Sequence, residues 1–248
     1  MYHWFGLDIV LARGSSMEDS KVQLSSGYAM GPPWLFKGSA LYQLHLVKAE
    51  IARVFIPKEF KIVEAFGYTL GGFFLARYDD SPVAKFDELV VIAGTVWNPP
   101  TSCAWAARVL VNNEEACRHG RKVKPFRHFV DTFLWMGPKI KMSLPNFSGR
   151  TIHNPLLLKY ACQLECRMRP VMAAKVSGPT SNYGEDEPDV DCLNNSKLTE
   201  DKTLNQCISI LLSKPVLALE FNFLKMQVNA PTLVVSHSKN NVAEDSGT

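Results

Sequence analysis

The first residue whose type and surroundings suggest chemistry is Glu88, a carboxylate inside the otherwise apolar run Phe86–Ile92. A carboxyl group held in apolar surroundings keeps its proton to higher pH, so it can serve as a general acid. The alternative is that Asp87 and Glu88 together mark the exposed start of a strand. The residues by themselves favour this second interpretation, so Glu88 is a candidate that needs outside support.

Two further side chains are candidates for binding a ligand, and each has a structural alternative. His45 stands between Leu44 and Leu46 and could be a base or line a pocket, although a hydrogen-bonded core histidine is commoner. Arg108 could bind an anion or form a structural ion pair. The basic stretch Lys122–His128 is better explained as a solvated loop, because no glycine-rich phosphate cradle adjoins it.

The cysteines do not indicate a metal site. Cys162 and Cys166 are four residues apart, and in a strand that spacing separates them by about 13 Å, too far to share one ion. No phosphate-binding loop, dinucleotide fingerprint or Gly-x-Ser-x-Gly motif occurs. We therefore expect no metal and no cofactor, and we interpret the six cysteines as reduced, mostly buried thiols of an intracellular protein.

The elements that must position these residues are mainly strands. Short helices are predicted at Lys48–Phe55 and Asn112–Gly120 and a turn at Pro145–Gly149. Most connections are too short for parallel crossovers, so the sheet should be mostly antiparallel, in a barrel or a sandwich. The predicted strands are Ser39–Val47, Lys61–Phe66, Tyr68–Tyr78, Phe86–Trp97, Thr101–Val111, Met136–Leu144, Tyr160–Arg169, Cys207–Ser213 and Val216–Val228.

Composition bounds the class of protein. The chain has 248 residues, of which 46% are hydrophobic, and a net charge of +3, which excludes overall disorder and a polybasic nucleic-acid binder. No apolar run is long enough for a membrane-spanning helix. We expect a disordered lead-in over 1–30, one domain over 31–235 with a flexible loop at 177–205, and a disordered tail at 236–248. Met17 is a second candidate for the first residue of the protein. The sequence shows no clear targeting signal on either side of it, so we expect an intracellular protein of either the plastid or the cytoplasm.

Several long segments carry a family resemblance. They are Gly31–His45, Glu64–Phe74, Phe86–Val91, Trp135–Pro145, Leu158–Tyr160 and Lys214–Phe221. Together they closely resemble the plant neoxanthin-deficient proteins, which belong to the acetoacetate decarboxylase-like superfamily. The resemblance implies a mainly β (α+β) fold, a cone-like antiparallel β-barrel with a few short helices and an internal cavity. It also implies a role in forming neoxanthin, on the xanthophyll route to abscisic acid, without converting violaxanthin itself.

The chain departs from the decarboxylase relatives where their catalysis resides. Those enzymes form an imine on a lysine whose pKa is lowered by a neighbouring cation. In those enzymes a Gly-Arg-Glu motif precedes a pair of lysines. Here Gly120 and Arg121 match the first two residues of the motif, but Lys122 stands in place of the glutamate. A lysine pair does not follow, because Lys124 is succeeded by Pro125. Glu88 does match the strand carboxylate of the superfamily. The stretch between Arg121 and Trp135 is also shorter than the family implies, so the barrel could be incomplete.

Three hypotheses follow from the residues and the resemblance together. The first is a non-catalytic barrel that binds a small ligand, such as an apolar carotenoid, through Glu88, His45 and Arg108, or that assists a membrane-bound neoxanthin synthase. The second is a lyase for a small β-keto acid, with Glu88 as acid and Lys122 or Lys124 as amine. The third is a nonfunctional splice product, since lost strands leave unpaired sheet edges.

Overall fold

The computed structural model describes residues 31–98, 101–113, 116, 137–148, 158–177 and 204–233. This part of the chain is dominated by strands. They are β1 (Trp34–Lys48), β2 (Glu64–Ala65), β3 (Tyr68–Asp80), β4 (Phe86–Asn98), β5 (Thr101–Val111), β6 (Lys139–Ser148), β7 (Leu158–Val171), β8 (Lys214–Val228) and β9 (Thr232–Leu233).

Two short helices accompany these strands in the described residues. Helix α1 (Ala49–Phe55) follows β1 directly and buries Ala52, with Glu50 in its first turn and Arg53 in its last, which suits the helix dipole. Helix α2 spans 204–211. In the part of the chain that the structure describes, no helix is long and apolar enough to cross a membrane.

The long strands form one sheet that closes into a ring. The order is β1-β8-β7-β6-β5-β4-β3, and β1 then pairs with β3 as well as with β8. All neighbours in the ring are antiparallel except β5 and β6, which are parallel. The expected mainly β, mostly antiparallel fold is therefore confirmed as a ring-like sheet.

Because side chains alternate across a strand, the ring has an inner and an outer face, each with its own apolar cluster. On β3, Phe74, Ala76 and Tyr78 point inward, whereas Phe73 and Leu75 point outward. Both helices pack on the outer cluster, through Ala52 of α1 and Ile210 of α2. The inner cluster surrounds the hollow of the ring.

Glycines permit the close pairing of β1 with β3. A Cβ at Gly38 would lie 1.9 Å from the carbonyl oxygen of Arg77, and one at Gly72 would lie 2.1 Å from that of Gln43. Gly72 also has a φ of 123°, which side-chain-bearing residues rarely adopt. A larger residue at either position would push apart the two strands that close the ring.

The ring has one weak junction, between β5 and β6, which we call the seam. There, among the residues that the structure describes, only Ala104–Ala106 pairs with Asn146–Ser148. Every other pair of neighbouring strands in the ring shares a register of seven residues or more. Parallel pairing is also slightly less stable per residue than antiparallel pairing. The seam therefore holds the ring with the fewest main-chain hydrogen bonds.

Most predicted elements are confirmed, including α1, β3, β4 and β5. Two predictions are wrong. The predicted strand Cys207–Ser213 is instead the end of helix α2, up to Leu211, followed by a turn at Leu212 and Ser213. Cys207, Ile210 and Leu211 are buried at helical spacing, and a short apolar run fits either structure. The turn expected at Pro145–Gly149 is also wrong over its described part, because β6 continues to Ser148.

Several other predictions fall on residues that the structure leaves undescribed. Of the predicted helix Asn112–Gly120, only Ala116 is described as helical. The lead-in 1–30, the tail 236–248, most of the loop 177–205 and the segment Lys122–His128 lie outside the described residues. The domain limits 31–235 therefore remain a prediction.

Hydrogen exchange should reveal the seam. We expect the amides of β1, which pair with a strand on either side, to be the slowest to exchange. Amides of β5 beyond Ala106 that point toward the seam should exchange much faster, since they have no β6 partner in the ladder. Native-state exchange read by NMR tests this. Equal protection in β1 and across the seam would show that the ring is held evenly.

Candidate functional site

A cavity of about 660 Å³ occupies the hollow of the ring, a volume in the range of small-molecule sites. Every long strand contributes to its wall, and most of the wall is aromatic or aliphatic. The lining residues in the described chain are Trp34, Phe36, Tyr42, Phe74, Tyr78, Phe86, Glu88, Val90, Ile92, Thr95, Ser102, Cys103, Ala104, Ala106, Val109, Val111, Ala116, Leu144, Pro145, Asn146, Tyr160, Cys162, Met226, Val228 and Pro231. Among these lining residues, Glu88 is the only Asp, Glu, Lys or Arg.

Glu88 is held inside this cavity by its strand and by one tyrosine. It lies on the inner face of β4, between the outward Asp87 and Leu89, and its carboxyl group borders the hollow. The Tyr78 hydroxyl donates a 2.7 Å hydrogen bond to Glu88 Oε2. Burial raises the pKa of Glu88, and the hydrogen bond from Tyr78 opposes that rise only in part. The group therefore keeps its proton to higher pH than an exposed glutamate does, and in its protonated form it can donate a hydrogen bond to a ligand.

The outward neighbour of Glu88 shows why the two acids differ. Asp87 is also buried, but Arg77 Nε lies 3.2 Å from its Oδ1 and Asn112 Nδ2 donates a 3.0 Å hydrogen bond to its Oδ2. Asp87 therefore has both a cation and an amide partner, whereas Glu88 accepts its hydrogen bond from a neutral hydroxyl. The exposed strand start considered from the sequence is wrong for this pair, because both carboxylates lie within the fold.

Other polar groups of the cavity wall are uncharged and weakly acidic. Burial raises the pKa of Tyr42 and of Tyr160. Burial and the nearby Glu88 charge raise the pKa of Cys162 to about 11, although Asn146 donates a long hydrogen bond, 3.8 Å, to its sulfur. Cys162 is therefore a poor nucleophile near neutral pH. The cavity offers hydroxyl, thiol, amide and carboxylic acid groups to an otherwise apolar ligand.

His45 lies outside this wall, in a buried polar network on the outer face of β1. Its Nδ1 donates to the carbonyl oxygen of Ile210 in α2 at 3.2 Å, and its Nε2 then accepts from Gln43 Nε2 at 2.9 Å. Gln43 also bonds both backbone groups of Ala174, with its Oε1 accepting at 2.7 Å and its Nε2 donating at 3.1 Å. Burial lowers the pKa of His45, so the neutral imidazole ties α2 and the segment after β7 to the ring.

Arg108 likewise does not join Glu88. It is absent from the cavity wall and lies beside Cys207 of α2, on the outer face. Burial raises the pKa of Cys207 to about 11, and the charge and hydrogen bond of Arg108 oppose that rise. The structure therefore places Glu88 in the cavity and His45 and Arg108 under α2, and a ligand-binding role of the latter two stays a prediction.

Sequence reasoning missed Tyr78 and Cys162 as members of the site. Tyr78 could have been found, because the alternation of β3 and β4 on either side of their short turn places Tyr78 and Glu88 on the same face. Cys162 could not, since it reaches the cavity only through the ring closure by β7. In the described residues, no cluster of three or more His, Cys, Asp or Glu side chains is arranged to hold a metal ion.

Comparison with known proteins assigns the family. The chain is 46% identical over 295 aligned positions to Protein NEOXANTHIN-DEFICIENT 1 of Oryza sativa subsp. japonica, covering 92% of this chain and 97% of that protein. The tomato protein of the same name, from Solanum lycopersicum, is 51% identical over 285 positions, covering 86% and 96%. The chain belongs to the NEOXANTHIN-DEFICIENT 1 family. No general family model matches it.

The alignments also show an internal difference from these relatives. They extend over 295 and 285 positions although this chain has only 248 residues, so each relative carries several dozen residues without a counterpart here. The sequence predicts a shortened stretch between Arg121 and Trp135. That stretch separates β5 from β6, the two strands of the seam.

Among solved structures, the chain is similar to two enzymes at low identity. An acetoacetate decarboxylase from Legionella pneumophila has a TM-score of 0.46 and 12% identity, with 82% of this chain and 88% of that chain covered. The enduracididine biosynthesis enzyme MppR complexed with pyruvate has a TM-score of 0.47 and 12% identity, with 84% and 92% covered. Likeness at this level assigns no chemistry to the cavity.

The substitution Glu88→Gln tests the protonation of the cavity acid. The pKa of Glu88 is about 4.5 in the unfolded chain and higher in the folded chain. The free energy of unfolding of the wild type therefore falls as the pH rises from 4.5 through the pKa of the folded state. Glutamine keeps an acceptor for Tyr78 and avoids this loss. We expect the variant to match the wild type near pH 4.5 and to exceed it at pH 8, by about 1.4 kcal/mol for each pKa unit of the rise. Urea unfolding at a series of pH values measures this.

The matched control is Glu64→Gln, at an exposed carboxylate of β2. Away from buried features, such a change should alter the free energy of unfolding by no more than about 0.5 kcal/mol across the pH series. If Glu88→Gln were less stable than the wild type at pH 8, Glu88 would have to be ionised and paired in the folded chain.

Proposed function

We propose that this protein takes part in neoxanthin biosynthesis as a non-catalytic protein that binds an apolar, oxygen-bearing ligand in the ring. The curated relatives carry neoxanthin deficiency in their name, which supports the pathway. The observation that carries the binding role is the apolar cavity with one proton-bearing carboxyl group, Glu88, backed by Tyr78. Such a wall suits a carotenoid end group, whose rings are apolar and whose few oxygens accept or donate single hydrogen bonds.

The electrostatics of the wall support a neutral ligand over an ionic one. Recognition of a carboxylate or phosphate normally uses Arg, Lys or a row of backbone N–H groups. None of the described lining residues is Lys or Arg, and a carboxylate ligand would lie against the Glu88 carboxyl group. An apolar ligand instead gains from burial against the aromatic wall, at about 25 cal/mol for each Å² removed from water.

The absence of the decarboxylase motif supports the non-catalytic part of the proposal. An imine needs an amine, and the lysines nearest to the matching motif, Lys122 and Lys124, stand in an altered order. Assistance to a membrane-bound neoxanthin synthase is compatible with the same protein, because a bound carotenoid could be handed to that enzyme. The plastid, where such a ligand would be met, is the compartment that this proposal favours over the cytoplasm.

Filling the cavity should abolish binding. In the variant Val90→Trp, the indole would occupy the hollow beside Glu88, so neoxanthin or violaxanthin should no longer bind. Binding is measured by quenching of tryptophan fluorescence, to which Trp34 of the wall contributes, and by the shift of the pigment absorption band. A neoxanthin-deficient mutant line expressing Val90→Trp should also fail to regain neoxanthin, whereas the wild-type chain should restore it.

The matched control is Val54→Trp, the same substitution at an exposed position of α1. It should bind and complement as the wild type does, and circular dichroism should show that both variants fold. Pigment binding by Val90→Trp at wild-type strength would contradict the cavity as the site. Failure of the wild-type chain to restore neoxanthin would contradict the pathway role.

A lyase acting on a small β-keto acid is the second candidate, and the raised pKa of Glu88 in a dry cavity is the observation that favours it. That reaction requires a substrate imine on Lys122 or Lys124. Borohydride added with acetoacetate would reduce the imine to a stable amine and raise the intact mass. We expect no such adduct. An adduct lost in Lys122→Arg or Lys124→Arg, with the other variant as control, would establish the lyase instead.

A further inference from the structure

A second functional surface lies on the outside of the ring, away from both helices. Residues Lys139 and Lys141 of β6, Glu165 and Arg167 of β7 and Lys225 of β8 share this outer face, because their neighbours in sequence point into the inner cluster. The register places Lys141 beside Glu165 and Glu165 beside Lys225. We call these five residues, together with Phe223, the basic face.

The charge of this region is strongly one-sided. Strands β6, β7 and β8 carry seven Lys and Arg residues but only two Glu, in a chain whose net charge is +3. One of the two acids, Glu220, is buried in an ion pair with Arg169. The other, Glu165, is shared by Lys139 and Lys141, whose side chains are 63% and 77% exposed. The basic face therefore keeps a net positive charge directed at solvent.

An aromatic side chain projects from the middle of this charge. Phe223 sits where β8 bulges out of register with β7, between the buried Asn222 and Leu224. Its φ is 51°, a conformation that a bulky residue rarely adopts, and its side chain is 66% exposed. Backbone strain that displays an apolar ring to water does not stabilise the fold, and its position beside exposed lysines is what distinguishes Phe223 as a candidate for binding.

From this arrangement we propose that the basic face docks on an anionic lipid surface, with Phe223 inserted among the headgroups. Lysines around an exposed aromatic ring match the negative surface potential of a bilayer and its amphipathic interface. An acidic protein partner fits less well, because lysine is depleted at protein–protein interfaces. The proposal rests on the outer face alone and does not depend on what the cavity binds.

Vesicle sedimentation of the full chain tests the docking. The chain should sediment with vesicles of phosphatidylcholine mixed with phosphatidylglycerol, and not with phosphatidylcholine alone. High salt should release it, since exposed charges are screened. The double variant Lys141→Glu with Lys225→Glu should lower the partition coefficient about tenfold or more. Phe223→Asn should also lower it, while folding is kept, because asparagine tolerates the positive φ.

The chain offers a matched control for each change. Phe66 also has a positive φ and is fully exposed, but it lies at the tip of the turn between β2 and β3, so Phe66→Asn should leave vesicle binding unchanged. Lys58→Glu with Lys61→Glu makes the same change in net charge at exposed positions after α1. Equal losses in these controls, or no preference for the anionic vesicles, would each overturn the proposal.

Discussion

The closure of the sheet by β1 is the constraint on which the other features depend. β1 pairs with β3 along Lys37–Lys48 and with β8 over nearly the same residues, so one strand joins the two ends of the sheet. Closure divides every strand into inward and outward side chains. It therefore creates the cavity, buries Glu88 within it, and leaves the outer face for the helices and for the basic face.

The two faces handle their polar groups in different ways. On the outer face, Gln43 and His45 satisfy each other and the backbone of Ala174 and Ile210, so the buried network stabilises the packing of α2. On the inner face, Glu88 accepts a hydrogen bond from the neutral Tyr78 hydroxyl. A buried network that is fully satisfied stabilises the fold, whereas a buried acid with a raised pKa costs stability at high pH, which is why the proposed function centres on Glu88.

The seam lies where this chain is predicted to be shorter than its relatives. Those proteins carry several dozen residues without a counterpart here, and the ring nevertheless closes, across a short parallel pairing of β5 with β6. Residues on both sides of the seam, such as Ala106 and Asn146, line the cavity. Among the described residues, the shortest pairing of the sheet thus forms part of the cavity wall, and a local opening there would expose the hollow.

The sequence determined the local structure and the family. Alternation located β1 and β8, strand-like runs between turn residues located β3, β4 and β5, and the spacing of apolar residues located α1. These patterns depend only on residues that are near in sequence. It did not locate α2, since the apolar run at Cys207–Ser213 suits a helix or a strand until something covers it. Only the tertiary structure decided that Glu88 faces a cavity with Tyr78 and Cys162 while His45 and Arg108 lie under α2. The reason is that the pairing of β1 with β8 joins residues 168 to 194 positions apart, from Leu46 with Lys214 to Trp34 with Val228, and no local pattern records such pairs.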